Sequence, residues 1–449
     1  MMVRRRTLLA RGAAALAAWP FASFGRALGY PRLMQGPMMG APGATHLTVW
    51  GRASGTLPVQ VEYSKDRAFR ATALTEPVVA SSENDFIVVI RIEGLEPNTG
   101  YYYRVLVDGI PDRYQPAPYA TRTAPTSAAD FRVAFGSCAR FTWDQEQRIF
   151  DGVVRQAPDL FFWLGDNVYA DTEAPELIAD ELKRQRGVER MQPLIRSVPQ
   201  LAIWDDHDFG YNNSDGSSPG KQRALAVFKR YWPNPASGLP ATPGVFFDYS
   251  YGGVDFIFLD GRYYRDPNSA PDGKSKTFLG SGQLAWLQAR LLASRAQFKV
   301  LVCGSGWSSA DGPQGDTWSA FRTERDALFD FIRDRAISGV VLLSGDSHVG
   351  ELNCIPRSDV GGYDLYDLVS SPLANGMSES WVEQKPEARL RKVYVKGPNF
   401  GLLEFRHGSE PSLTFTLHDA SGASVWKSLV LTPRELRNGV SSWRGNVDV

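Results

Sequence analysis

The sequence predicts a chain of the α+β, layered α/β kind: a small all-β sandwich first, then a domain in which strands alternate with helices. Two observations predict it. Between His46 and Val107, short runs alternate apolar and polar residues with turn residues between them. Beyond the Thr123–Ala129 stretch, apolar runs alternate with segments of helical spacing, the pattern of stacked helix and sheet layers. A third observation locates the chemistry. Leu160-Phe161-Phe162-Trp163-Leu164 breaks at Gly165 directly into Asp166, Asn167 and, after Val168, Tyr169. The design recurs in Phe131 to Cys138, Leu201 to Asp208 and Val340 to His348. Open α/β sheets place their chemistry at the carboxyl ends of strands, so four such breaks define one site.

Taken in order, residues 1–27 read as a secretory signal: Arg4-Arg5-Arg6, an Ala-rich apolar run to Ala18, and small residues near Ala27. Arg5-Arg6-Thr7-Leu8-Leu9 resembles a twin-arginine signal, which implies a periplasmic or secreted protein exported already folded. Residues 28–45 form a Pro/Gly/Met-rich spacer. The sandwich is expected over 46–124, with strands at His46–Trp50, Val59–Tyr63, Phe86–Ile92 and Tyr101–Val107, and with His46 structural. Leu95-Glu96-Pro97-Asn98-Thr99-Gly100-Tyr101 resembles the tyrosine corner of fibronectin type III modules. The second domain spans 130–449. Helical spacing is clearest at Leu177–Ile195, Leu284–Leu292 and Phe321–Ile332; strands fall at Gly244–Tyr249, Val254–Leu259 and Phe298–Cys303, with a hairpin at Tyr251-Gly252-Gly253-Val254. From Asn399 the chain is β again and completes these sheets.

Lys plus Arg (49) balances Asp plus Glu (49), so no global field draws the chain to nucleic acid or an anionic membrane, and an anionic substrate must be attracted locally. No specific nucleic-acid partner and no transmembrane span after the signal are expected, and the chain is expected to be a monomer. With five histidines in the whole sequence, a histidine-built zinc site is disfavoured. Three cysteines leave at least one thiol unpaired; Cys303 and Cys354 are open to pairing, whereas Cys138 sits in a motif.

The strand ends offer the Cys138 thiol, the carboxylates of Asp166, Asp205, Asp206 and Asp346, the Tyr169 phenol and the imidazoles of His207 and His348. Carboxylate and phenolate donors suit hard cations, and a thiolate beside a phenolate is compatible with ferric iron, so an iron or calcium cluster is favoured over zinc. Converging carboxylates repel unless cations neutralise them, and adjacent cations can clamp a phosphoryl group. His207, flanked by acids, is suited to protonate a leaving group.

These motifs together resemble the alkaline phosphatase D family, within the calcineurin-like metallophosphatases. The resemblance rests on Gly136-Ser137-Cys138, Gly165-Asp166-Asn167-Val168-Tyr169, Trp204-Asp205-Asp206-His207-Asp208 and Ser344-Gly345-Asp346-Ser347-His348, with Leu259–Arg265 and Gln283–Leu287 as further family-like segments. It implies a four-layer α/β/β/α domain holding Fe(III) and Ca(II), other divalent metals being compatible. Cys138, Asp166, Tyr169, Asp206, Asp346 and His348 are the implied ligands, Asp166 bridges, and His207 is catalytic. One member of the Asp205–Asp206 pair orients its neighbours; Asp206 is assigned to the metal. Arg262, Arg265 and Asn213 are candidates for substrate binding, the arginines balanced between phosphate contact and salt bridging. The expected activity is an exported phosphomonoesterase or phosphodiesterase using a metal-activated hydroxide. The alternatives are a phospholipase D-like diesterase acting on lipid headgroups and a non-catalytic binding protein with a structural metal cluster. Tyr211, Tyr231, Trp232, Tyr263, Tyr264 and Trp307 are pocket-lining candidates, core packing being favoured for most of them.

Overall fold

The computed structural model describes residues 30–113, 117–308, 311–384 and 386–448, so the signal expected at 1–27 lies outside the described residues. Among these the strands fall into four sheets, two in each domain. The N-terminal sandwich packs the sheet of Leu33–Met39, His46–Ala53 and Ile87–Glu93 against one built on Pro58–Ser64 and Gly100–Val107. Inward residues such as Val49, Ile90, Val61 and Val105 are buried between them, as period-two alternation dictates. The Leu33–Met39 strand corrects the expected spacer: it pairs antiparallel with His46–Ala53, through register breaks on either side of Gln35. The tyrosine corner is present, with the Glu96 backbone N–H donating to the Tyr101 hydroxyl at 2.9 Å.

In the second domain, a six-stranded sheet runs Gln200–Ile203, Leu160–Leu164, Phe131–Gly136, Asn399–Arg406, Ser412–Asp419, Leu429–Leu431. Its first three strands are parallel, and the Asn399–Arg406 strand joins antiparallel beside Phe131–Gly136. A seven-stranded sheet faces it, with Val254–Phe258, Phe298–Val302, Val340–Ser344 and Leu365–Val369 parallel at its centre. Side chains of Leu160–Leu164 show why its sequence is apolar throughout. Phe161 and Trp163 turn to Phe150 on the Ile149–Arg155 helix, while Phe162 turns inward to Phe256 and Phe258 of the other sheet. A strand covered on both faces has no polar side. The hairpin at Gly252-Gly253 forms as expected, both glycines at positive φ (56° and 85°).

The Leu177–Ile195 segment is not one helix. It divides into Pro175–Gln185 and Gln192–Ser197 around a short turn at Glu189–Met191. The division falls at Arg186, whose buried guanidinium lies 5.0, 5.2 and 4.4 Å from the rings of Trp50, Tyr231 and Trp232 and donates to the Tyr231 carbonyl at 2.7 Å. Burial pulls its pKa down to about 9. Trp50 belongs to the sandwich, and its indole N–H reaches the Arg230 carbonyl at 3.0 Å. Asp85, also from the sandwich, accepts from Tyr231 at 2.5 Å and pairs with Lys183 at 3.0 Å. The two domains therefore share a buried polar and aromatic seam. Cys303 and Cys354 are free and buried, as is Cys138.

Candidate active site

The expected strand ends converge at one edge of the paired sheets, where the loops are stitched to one another by backbone. The Cys138 N–H donates to the Gly165 carbonyl at 3.2 Å and Ala139 to Asp166 at 2.9 Å; Leu373 and Ala374 donate to Ser137 and Cys138 at 2.8 and 3.1 Å. Ser137 Oγ accepts from the Asp346 N–H at 3.1 Å, tying the first sheet to the second. Gly165 has φ +100°, and a Cβ there would fall 2.6 Å from Asp205 Cβ, so only glycine lets these two loops approach.

The chain also turns back sharply beneath the candidate ligands. Cys138, Asp166, Asp346 and His348 all have positive φ, at 59°, 50°, 66° and 54°. Left-handed backbone costs roughly 1–2 kcal/mol at a residue with a side chain, and such outliers gather at functional sites.

Donor atoms meet in three overlapping groups, each within 4.8 Å: Cys138, Asp166 and His348; Asp166, Asp206 and His207; Asp205, Asp206 and Asp346. Tyr169 joins through its hydroxyl, 3.2 Å from Asp166 Oδ2 and 2.9 Å from His348 Nε2. Burial, followed by the mutual repulsion of the acids, pushes the carboxyls of Asp166 and Asp346 far above their ordinary range. Asp205 rises to about 6, since burial outweighs its contact with Arg262. Burial likewise raises the Cys138 thiol and the Tyr169 phenol and lowers His348 to about 4. Asp205 Oδ2 and Asp206 Oδ1 are buried without a hydrogen-bond partner. Orphaned carboxylate oxygens among buried, mutually repelling acids fit a site built for cations, whose charge would offset that repulsion.

Three supporting residues escaped the sequence reading. Asp171 holds His207 Nδ1 at 2.5 Å. Asp208 accepts from the backbone of Asp205, Asn167 and Val168 at 3.1, 3.1 and 3.2 Å, pinning the Asp166 loop to the Asp205 loop. Asp316 pairs with Arg262 and Arg265, the salt-bridging side of the two alternatives open for these arginines. Arg262 and Arg265 are wholly buried; Arg262 binds Asp205, and both bind Asp316, at 2.6 and 2.9 Å. They brace the cluster from behind rather than facing a substrate. Asn213 is exposed and contributes its backbone N–H, 2.6 Å from Asp206 Oδ2. Of the pocket aromatics proposed, Tyr231, Trp232, Tyr263 and Trp307 are buried core, whereas Tyr211 is 58% exposed.

A family profile described as PhoD-like phosphatase matches residues 180–416, more than half of the chain, and its N-terminal domain profile matches 19–125. The chain belongs to the PhoD-like phosphatase family. The loops carrying Cys138, Asp166 and Tyr169 fall between the two matched stretches, and the structure is what brings them to the rest. Alkaline phosphatase D of Bacillus subtilis (strain 168) is 26% identical over 357 residues, covering 66% of this chain and 59% of that protein. The chain thus aligns with about three fifths of that relative's length. A solved structure titled as that of PhoD shares the fold, with a TM-score of 0.76 at 19% identity over 96% of this chain and 95% of the other. A purple acid phosphatase from yellow lupin (Lupinus luteus) seeds does so at a TM-score of 0.62 and 12% identity, over 94% and 76% of the respective chains.

Proposed function

We propose that the chain is an exported, metal-dependent phosphoesterase that hydrolyses phosphomonoesters, phosphodiesters or both. The observation that carries this reading is the sharing of acids: Asp166 is common to two donor groups and Asp206 to two. A carboxylate shared in this way suits adjacent cations. Cys138, Asp166, Tyr169 and His348 would hold ferric iron, and Asp166, Asp206 and Asp346, with the free oxygen of Asp205, would hold calcium on the oxygen-rich side. When bound, such cations supply Lewis acidity toward phosphoryl oxygens and acidify water.

The chain's own residues supply the remainder. Asp171 fixes His207 through Nδ1, and the Tyr169 ring packs against the imidazole with centroids 4.1 Å apart. This leaves Nε2 as the nitrogen able to protonate a departing ester oxygen. Arg262 and Asp208 keep the Asp205–His207 turn in register with the Asp166 loop, so proton donor and acids stay aligned. Family membership and the shared phosphatase fold support the same reading.

The test is turnover of chromogenic p-nitrophenyl phosphate and bis(p-nitrophenyl) phosphate, with and without chelator, alongside elemental analysis. Chelator-sensitive release of p-nitrophenol by protein containing iron and calcium is expected. A fully metal-loaded protein that cleaves neither ester would sink the proposal. Export rests on the signal read at residues 1–27 and is checked by fractionating cells expressing the full chain.

A further inference from the structure

With Arg262 and Arg265 committed to Asp316, a side-chain cation for the phosphate, beside any bound metal, would have to come from elsewhere. Arg140 occupies the right place. It is the second residue after Cys138, its backbone N–H is fixed to the Ala374 carbonyl at 2.7 Å, and its guanidinium lies 5.3 Å from the centroid of the Tyr169 ring. Its charge reaches His348, whose basicity it helps to lower. Its Nε donates to Thr142 Oγ1 at 3.2 Å, and among the described residues Arg140 has no carboxylate partner. A planar, partly exposed guanidinium beside a cluster of acids, and not neutralised by any of them, is suited to an anion arriving from solvent.

The same turn carries Trp143, 64% exposed. Its turn is ordered: the Trp143 backbone N–H donates to the Arg140 carbonyl at 3.0 Å, and Asp144 Oδ1 accepts from the backbone N–H groups of Glu146 and Gln147, both at 2.9 Å. The indole edge lies against Gly376, where a Cβ would come within 3.3 Å of it, and the Gly376 backbone hydrogen-bonds the His348 ring. Trp143 therefore stands at the rim of the site, one backbone segment away from a candidate ligand. An exposed indole on an ordered turn, with one edge against Gly376, presents a stacking surface to solvent.

We propose that the Arg140–Trp143 turn is the substrate-recognition element of the phosphoesterase read above: Arg140 binds the non-bridging phosphate oxygens, and Trp143 stacks on a planar aromatic or heteroaromatic group of the ester. The preferred substrates are thus phosphate esters of aryl or nucleoside type over those of small alkyl alcohols.

The experiment uses metal-loaded full-length protein with p-nitrophenyl phosphate, a nucleoside 5′-phosphate and glycerol phosphate, following phosphate release, plus calorimetric titration with inorganic phosphate. Arg140→Gln is expected to weaken phosphate binding and raise KM about tenfold or more for all three esters, with Arg140→Lys recovering part of the loss and metal content unchanged. Trp143→Ala is expected to cut kcat/KM several-fold for the two aromatic esters and less than about twofold for glycerol phosphate, while Trp143→Phe retains the preference. The nucleoside and aryl arms separate the two sources of the planar group. Unchanged phosphate affinity in Arg140→Gln, or an equal loss on all esters in Trp143→Ala, overturns the inference while leaving the phosphoesterase reading intact. Absence of wild-type turnover removes that reading instead, and the phosphate titration still reads Arg140 directly.

Discussion

Replacing Asp316 by asparagine is expected to unsettle the active-site floor from beneath. Its carboxylate accepts from Arg262 at 3.1 and 2.6 Å, from Arg265 at 2.9 Å and from Asn268 at 2.6 Å. Burial disfavours the charge, but the two arginines outweigh it and hold the Asp316 pKa below its ordinary value. Behind the cluster, two buried guanidiniums face Asp316 and Asp205, with Asp206 farther off at 3.7 Å. The asparagine leaves one positive charge buried without a counter-ion, a loss of about 3–5 kcal/mol. Unfolding entropy of about 2.1 cal/mol/K per residue over 449 residues gives roughly 0.9 kcal/mol/K, so Tm should fall by about 3–5 °C. Because Arg262 also anchors Asp205, bound metal should fall as well. A carboxyl depressed on folding adds stability above its unfolded pKa and loses it as pH drops through the folded value. The gap between wild type and variant should therefore close below about pH 4. Scanning calorimetry at neutral and acid pH, with elemental analysis, makes the measurement. A neutral-pH Tm within about 1 °C of wild type would refute the claim that these arginines depend on Asp316.

Other perturbations have equally definite outcomes. Asp171→Asn should lower kcat about 10- to 100-fold with bound metal unchanged, because His207 loses the partner that orients it; steady-state kinetics that match wild type would remove Asp171 from the site. Glu351 is buried beside Asn353 and Arg389, and burial lifts its pKa to about 7. An acid raised in this way stabilises the fold most below its unfolded pKa and loses that contribution as pH rises through about 7, so Glu351→Gln should flatten the decline in Tm between pH 5 and 8. Tyr101→Phe deletes the bond to the Glu96 N–H and should cost about 1 kcal/mol by denaturant unfolding. A thiol reagent should leave native protein nearly untouched and titrate three cysteines after unfolding, whereas a disulfide would leave one.

What could be read from the sequence was whatever is written locally. The strand ends were legible because an apolar run that stops at Gly165 or Gly345 and continues with acids keeps both signals within ten residues. The tyrosine corner was legible for the same reason, since Tyr101 bonds five residues back. Partners distant along the chain were not. Asp316 lies 54 residues beyond Arg262, so nothing near the arginine distinguishes a bracing charge from a phosphate ligand. His207 and Asp171 are 36 residues apart, and the acid reads alone as one more polar loop residue. The Leu33–Met39 strand was missed because its pairing shifts register around Gly36, which erases the alternation that identifies a strand. The Pro175–Gln185 helix ends just before Arg186, whose guanidinium lies over Trp50, an aromatic in the other domain that helical periodicity does not register.

That seam has a practical consequence. Met38, Trp50 and Ile87 of the sandwich belong to the same apolar core as the two sheets that carry the candidate site. A fragment begun at residue 130 would strand Arg186 among fewer aromatic faces, deprive Lys183 and Tyr231 of Asp85, and open the slot that Trp50 fills. The front module is thus masonry rather than ornament, and attempts to shorten this protein to its chemistry should begin by redesigning that wall.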